Sequence, residues 1–427
     1  MSQTAFVILS FEGPDKYSRV GGLATRVTGL VRELAGRGCE THLFFIGDPM
    51  LPGHEVLEGG RLHLHRWCQW ISQYHPGGAY DGEYTKVQDW NRSLPAWVLS
   101  NLLPGIVEAD RGVVVIGEEW QAADPLITLG ATIRNAWWAD QVRLVWNANN
   151  TYGFDRIDWA GLQKVATLTT VSRYMKYLMQ RQGLEARAIP NGMDERWLKA
   201  LPPGSTLALE RGLKGRTAIT KVARWDPEKR WDFAVDAVSA MKGAGMAPVL
   251  LARGGAPERA GDVIARCRSH GLRVKRARWE GQEARSVTSA ILPVADADVV
   301  LLDSMLFEEQ SKLLYCVSDA VLANSRFEPF GLVGLEAMAA GGIAVVGATG
   351  EDYVTNGHDS ISLQTDDVWE FVRYIARIKN FPDAERHMRL QARRAAAKFT
   401  WSAVVERALF PFVREMGLEV NGATPPA

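Results

Sequence analysis

The chain has 427 residues, with 49 Lys+Arg balanced by 49 Asp+Glu, 47% hydrophobic residues and 23% charged ones. A single core stops growing near roughly 250–300 residues, so this length implies two or three domains, and the apolar fraction excludes a disordered chain. The charge balance also holds on either side of residue 200, which argues against retention on nucleic acid or anionic lipid and favours a small anion bound by a few placed groups.

The four cysteines, Cys39, Cys68, Cys267 and Cys316, form no Cys-x-x-Cys pair. Neither a disulfide framework nor a zinc knuckle is expected, and a reducing compartment fits. The apolar run Ala5–Leu9 is too short for a signal peptide, and no stretch approaches the ~20 apolar residues of a spanning helix. A cytoplasmic protein is the expectation.

In chain order, Ala5–Leu9 reads as a buried strand, and Leu23–Gly36 as an amphipathic helix with Val27, Leu30, Val31 and Leu34 at helical spacing. Thr41–Ile46, Val113–Ile116, Val142–Trp146 and Thr167–Val171 read as strands of the same sheet, and Ser172–Gln182 as a helix stopped by Gly183. The pattern is lost over Leu198–Arg216, which reads as a linker. It restarts with strand Thr217–Val222, helix Asp232–Met241, strands Pro248–Ala252 and Ala320–Asn324, helix Val333–Ala340 and strand Ile343–Val346. Ala384–Met416 is helical with an interruption near Phe399-Thr400-Trp401. Alternation of this kind is the signature of βαβ units and parallel sheets. The reading is α/β, with two Rossmann-like, doubly wound domains facing a central cleft. Their expected bounds are 1–200 and 216–395, joined by a linker at 201–215. A helix at 396–418 would cross back to the first domain, ahead of a tail at 419–427.

Three constellations could carry chemistry. The run Arg326-Phe327-Glu328-Pro329-Phe330-Gly331-Leu332-Val333-Gly334-Leu335-Glu336 follows a strand, and Pro329 sits where a helix would begin. The amides of Phe330, Gly331 and Leu332 would then be open first-turn donors for a diphosphate. Glu336 lies two turns after Glu328, so both carboxylates can address one ligand. Arg224 and Lys229, after strand Thr217–Val222, can converge on one anionic group. Gly21-Gly22-Leu23 opens the first helix and allows a ligand close to the backbone. It is not G-x-G-x-x-G, so a dinucleotide oxidoreductase is disfavoured.

Together, in this order, these motifs resemble the retaining GT-B glycosyltransferases of family 4, the group that includes bacterial glycogen synthases. Glu328 to Glu336 matches the family's E-x7-E, Arg224 and Lys229 its Arg/Lys pair, and Gly21-Gly22-Leu23 its G-G-L loop. Thr170-Val171-Ser172, Pro190-Asn191-Gly192-Met193-Asp194 and Phe399-Thr400-Trp401 are weaker matches, and the likeness spans roughly residues 4–416. The resemblance implies transfer of a sugar from a nucleotide-diphosphate sugar to a saccharide or small-molecule hydroxyl, with anomeric configuration kept. It implies that Arg224 and Lys229 neutralise the leaving diphosphate and that Glu328 holds donor-sugar hydroxyls. Phe330, Gly331 and Leu332 would offer the diphosphate their amides, with Gly21 and Gly22 approaching it from the other domain. Glu336 would hold the ribose, and neither a metal nor another cofactor is expected. Two departures stand out. Asn149 occupies a position where many members carry His, and the loop Arg278–Asp298 is longer than expected near the nucleotide base.

On the acceptor side, Trp67, Trp70, Tyr74, Tyr80, Tyr84 and Trp90 form an aromatic-rich segment suited to sugar faces or to sealing a loop. Trp70 and Tyr80, with Asn149 and Glu119, are the candidate acceptor contacts. His63 and His65 alternate on one strand face and, lacking a third ligand, are expected to be surface histidines. A non-catalytic nucleotide-sugar-binding protein and a GT-B epimerase are the alternative functions.

Overall fold

The computed structural model describes residues 4–420. The chain divides into two compact units, Met1–Gly192 with Thr400–Ala427, and Met193–Phe399.

The first unit holds an eight-stranded sheet. In chain order its strands are β1 (Ala5–Leu9), β2 (Thr41–Ile46), β3 (His54–Leu57), β4 (Leu62–Trp67), β5 (Val113–Glu118), β6 (Val142–Ala148), β7 (Thr167–Thr170) and β8 (Arg187–Ala188). The spatial order is β3-β4-β2-β1-β5-β6-β7-β8. All pairs are parallel except the β3–β4 hairpin. Strands β1 and β5 are buried at every residue, as apolar runs covered on both faces should be. Helix Gly22–Gly36 lays Val27, Leu30, Val31 and Leu34 on one face of the sheet. The C-terminal helical segment Trp401–Glu415 joins the same core through Val404, Val405, Leu409, Phe410 and Val413. Thr400 caps that segment by accepting from the Ala403 amide at 3.2 Å.

The second unit holds a seven-stranded parallel sheet: β9 (Thr217–Val222), β10 (Pro248–Arg253), β11 (Val274–Ala277), β12 (Val299–Leu302), β13 (Ala320–Ala323), β14 (Ala344–Val346) and β15 (Ile361–Ser362). Its order is β11-β12-β10-β9-β13-β14-β15. In each unit the chain winds outward from one central strand and then resumes on its other side. The topological switch points are therefore β1/β5 and β9/β13, where doubly wound sheets open a crevice beyond their carboxyl ends.

Four expectations change. The crossing into the second unit comes at Gly192/Met193 rather than at 200. Residues 193–200 pack on the second unit, where Trp197 stacks on Tyr315 and the Arg393 guanidinium donates to the Leu198 carbonyl at 2.6 Å. The expected linker 201–215 contains helix Leu207–Gly212, and Leu209 and Leu213 are buried in the second core. The expected loop Arg278–Asp298 contains helix Ala284–Ile291, which buries Ala284, Val287, Thr288 and Ile291 at helical spacing. The second crossing falls at Phe399/Thr400, so the returning helix begins after 396. Most of the expected tail, residues 421–427, lies outside the described residues. Among the described residues no helix is long and apolar enough to cross a membrane.

Trp401 anchors the C-terminal segment: it is 6% exposed, with the Arg26 guanidinium 6.0 Å from its ring centroid. Trp401→Ala is expected to cost the first unit about 3–5 kcal/mol. Urea unfolding checks this, and an unchanged midpoint would show that the segment does not belong to that core.

Candidate functional site

The β9/β13 switch point of the second unit gathers most of the expected donor residues. After β9 the chain enters a short turn, Pro227–Lys229, capped by Asp226, whose carboxylate accepts from the Glu228 amide at 2.9 Å. The Arg326 amide donates to the Glu228 carbonyl at 2.9 Å, which fastens this turn to the loop after β13. The Lys229 ammonium is thereby held 2.9 Å from Glu328 Oε2, an ion pair whose side chains are 21% and 23% exposed. The Arg224 guanidinium is exposed and has no partner among the described residues, while its carbonyl accepts from the Trp231 indole at 2.8 Å.

Helix Leu332–Ala340 begins within one residue of its expected Val333, and Pro329 does not open it. Gly331 is the residue before it, at φ 78° and ψ 70°, a left-handed turn that glycine makes without strain. The first-turn donors are thus Leu332, Val333 and Gly334, while the Phe330 and Gly331 amides precede the helix; none of these five has a partner among the described residues. The Phe330 side chain is packing, in contact with Tyr353 and Phe399. The Tyr353 hydroxyl donates to the Gly331 carbonyl and fixes the turn. A third loop, after β14, closes against the first two. At Gly350 an added Cβ would lie 2.0 Å from the Pro329 carbonyl oxygen, and the Gly350 amide donates to the Glu328 carbonyl at 2.9 Å.

This ring of loops carries more ionisable groups than the sequence reading found. Glu336 makes no hydrogen bond among the described residues. Burial, helped by the charge of Glu308, pushes its carboxyl up to about 8. Glu351, absent from the sequence reading, is also pushed up to about 8, by burial and then by Glu328. Its Oε2 accepts from the Thr349 amide and hydroxyl, and its buried Oε1 has no partner. Lys221 is fully buried on β9, donating to the Leu322 carbonyl and to Asn324 Oδ1 at 3.2 and 2.9 Å. Burial and the cations Lys229 and Arg230 push it down to about 7. A lysine inside an apolar strand was the available signal for Lys221; nothing local marks Glu351.

The β1/β5 switch point of the first unit is used differently. Glu12, on the loop after β1, places Oε2 against the amides of Val20, Gly21 and Ala24 at 3.3, 2.9 and 3.2 Å. Its own carboxylate thus occupies this helix N-terminus, including the Gly21 amide expected for a ligand. Gly22 keeps an open face, with no atom within 4 Å of a built Cβ. Glu12 Oε1 accepts from the Tyr80 hydroxyl at 2.9 Å. At the carboxyl end of β5, buried Glu118 pairs with Arg26 at 3.0 Å and accepts from Asn147 and Asn149 side-chain amides at 2.9 and 2.8 Å. The Asn149 amide donates to Glu119 Oε1 at 2.8 Å. Glu119 has φ 65°, and burial, with the neighbouring Glu118 charge, pushes its carboxyl up to about 8. Asn149, Glu119 and Tyr80 thus fall in one neighbourhood, since the Glu119 charge also raises the Tyr80 hydroxyl. Trp70 stands apart on the surface, its indole 3.2 Å from Asp89 Oδ2, and no hydrogen bond or ring contact joins it to the others among the described residues. Trp90 is buried and Trp67 packs on Phe44 and Trp97, so these two seal the segment.

Residues 298–395 match the model of the family Glycosyl transferases group 1. That segment contains β13, the Glu328–Glu336 run and β14. No curated protein matches the chain by sequence. Among solved structures, the sucrose-phosphate synthase of Thermosynechococcus elongatus is 17% identical, with 97% of this chain and 99% of that chain covered and a TM-score of 0.68. The catalytic domain of starch synthase IV from Arabidopsis thaliana, bound to ADP and acarbose, is 16% identical over 97% and 100%, with a TM-score of 0.66. HepE of Anabaena in complex with UDP-glucose is 14% identical over 96% and 100%, with a TM-score of 0.60. These likenesses show the fold, two Rossmann-like parallel-sheet units of the GT-B class.

The raised carboxyl of Glu336 has a stability consequence with a definite sign. Between its ordinary value of 4.5 and about 8 the folded chain keeps a proton that the unfolded chain has lost, so stability falls as pH rises through this window. Glu336→Gln removes that dependence. Its stability advantage over the wild type is expected to grow from pH 5 to pH 8 and to level off above about 8. Urea unfolding at several pH values measures this, and a pH-independent difference would contradict the assignment.

Proposed function

We propose that this chain is a retaining glycosyltransferase that moves a sugar from a nucleotide-diphosphate sugar to a hydroxyl of a saccharide or small molecule. The observation that carries the reading is the convergence of Lys229, Glu328 and an unoccupied helix N-terminus at the β9/β13 switch point. A leaving diphosphate needs placed positive charge. Lys229, the unpaired Arg224 and the amides from Phe330 to Gly334 supply it. The proposed site therefore has no metal and no further cofactor at the diphosphate. When the diphosphate engages Lys229, Glu328 is released to accept hydrogen bonds from donor-sugar hydroxyls. Glu336, which has no hydrogen-bond partner among the described residues, accepts from the ribose. Retention of configuration is the part of the proposal that rests on the family resemblance.

The donor class is supported by the ligands of similar structures, ADP on starch synthase IV and UDP-glucose on HepE. On the first unit, Glu119 retains its proton at neutral pH and Gly22 leaves space. Acceptor contact is assigned to Glu119 and Tyr80. Asn149 holds these carboxylates in place and does not titrate, so the proposed transfer uses no acid–base step there. That feature also favours a second reading, a non-catalytic nucleotide-sugar-binding protein, which would bind donor without turnover over any acceptor.

Screening UDP-, GDP- and ADP-sugars by thermal shift is expected to find at least one donor that raises the melting temperature. With that donor, Lys229→Ala is expected to lower turnover by about 10²–10³-fold while the circular dichroism spectrum is kept. Failure of every donor to bind, or wild-type turnover by the variant, would overturn the proposal.

A further inference from the structure

Four of the eight histidines of this chain meet on one face of the first sheet's edge. His63 and His65 alternate along β4, so both point to the same side. In the strand register His42 of β2 is opposite His63, and His54 of β3 is opposite His65. The rings stack: His42 on His63 at 4.4 Å between centroids, His54 on His65 at 4.6 Å, and His65 on Phe44 at 4.2 Å. The expectation that His63 and His65 are surface histidines fails for His65, which is 7% exposed, while His63 is half-buried; His42 beside them is 4% exposed. Glu40, two residues before His42, turns Oε1 to His42 Nε2 at 3.0 Å, and Arg111 holds its other oxygen. One ligand atom from each of Glu40, His42 and His63 lies within 4.8 Å of the others.

We propose that Glu40, His42 and His63 form a binding site for a divalent ion of the zinc class. Two imidazoles and one carboxylate are an established donor set for zinc, which takes such ligands at about 2.0–2.2 Å and leaves a fourth position open. The neighbouring histidines supply what metal-ligating imidazoles require, a partner on a ring nitrogen. His42 Nδ1 lies 3.0 Å from His65 Nε2, and His63 Nδ1 lies 3.3 Å from His54 Nε2. An ion entering between Glu40 and His42 takes the Nε2 position, and the neutral imidazole then carries its one proton on Nδ1, where it donates to His65 Nε2. The Arg111 guanidinium opposes a cation electrostatically, but it also fixes the Glu40 carboxylate with one oxygen toward the imidazole.

The location indicates the role. Glu40, His42 and His63 lie at the amino ends of β2 and β4, opposite the carboxyl ends where sheets of this kind bind substrates. An ion there would tie the edge strands to the sheet and stabilise the first unit without touching the reaction proposed above.

The test uses the full chain, without an added histidine tag and stripped of metal, titrated with zinc chloride. Calorimetry is expected to show one zinc per chain with micromolar or tighter affinity, and zinc is expected to raise the melting temperature. His63→Gln, at a half-buried position, is expected to weaken binding by about tenfold or more, whereas His270→Gln in the second unit leaves it unchanged. No stoichiometric binding up to millimolar zinc, or full affinity in His63→Gln, would overturn the site. Should His63→Gln fail to fold, cobalt on the wild-type chain decides: intense visible bands of four-coordinate geometry support the site, and weak six-coordinate bands overturn it.

Discussion

The second unit is organised around one interaction, the 2.9 Å ion pair between Lys229 and Glu328. A half-buried ammonium is costly without a counter-charge, and Glu328 supplies one across the boundary between β9 and β13. Forming it requires three loops in register: the capped turn after β9, the Gly331 turn after β13, and the β14 loop that meets them through Gly350. These loops converge because the winding of the parallel sheet reverses at β9/β13, so the loops beyond these carboxyl ends part and open a crevice. In the proposed reaction the pair opens rather than persists. The diphosphate takes the place of the Glu328 carboxylate on Lys229, and the freed carboxylate turns to the sugar.

The two units share a topology and use their switch points in opposite ways. In the second, the helix amides after the switch point have no partner among the described residues, and cations gather nearby. In the first, Glu12 fills the equivalent helix N-terminus, and Arg26 is spent on Glu118. An anion would meet a helix end already filled by Glu12 and the Glu118 carboxylate there. The division of labour proposed for donor and acceptor thus follows from charge placement within each unit. Buried ionisable groups ring both sites, with Glu119, Glu336 and Glu351 raised and Lys221 lowered. Such groups are retained at a cost in stability, which is common where a ligand supplies the missing partner.

The parts of this arrangement that were legible in the sequence are those encoded locally. Continuous apolar runs such as Ala5–Leu9 and Thr217–Val222 announce buried parallel strands, and the motifs after β9 and β13 single out Lys229 and Glu328, which the fold brings to 2.9 Å. What escaped depends on contacts between distant residues. Strand β4 reads as polar because its alternating histidines hide the pattern, and only the register with β2 and β3 reveals why they are there. Glu12 and Glu351 stand in loops whose significance comes from the amides and turns they meet in space. Helix Ala284–Ile291 was obscured by the polar residues Arg285, Ser286 and Ser289 between its buried positions and by Thr288 among them. Pro329 does not open the helix after β13, which begins at Leu332, because the Tyr353 hydroxyl holds a left-handed turn at Gly331, a constraint set by a residue more than twenty positions away.

The central claim is that Lys229 belongs to a diphosphate and that Glu328 holds its place in the empty site. Calorimetric titration of a nucleoside diphosphate into the wild type and Glu328→Gln tests it most directly. The account predicts that the variant binds the diphosphate as tightly as the wild type or more so, because Lys229 no longer has to leave a carboxylate, while sugar transfer is lost. Loss of diphosphate binding in a folded Glu328→Gln chain would contradict it.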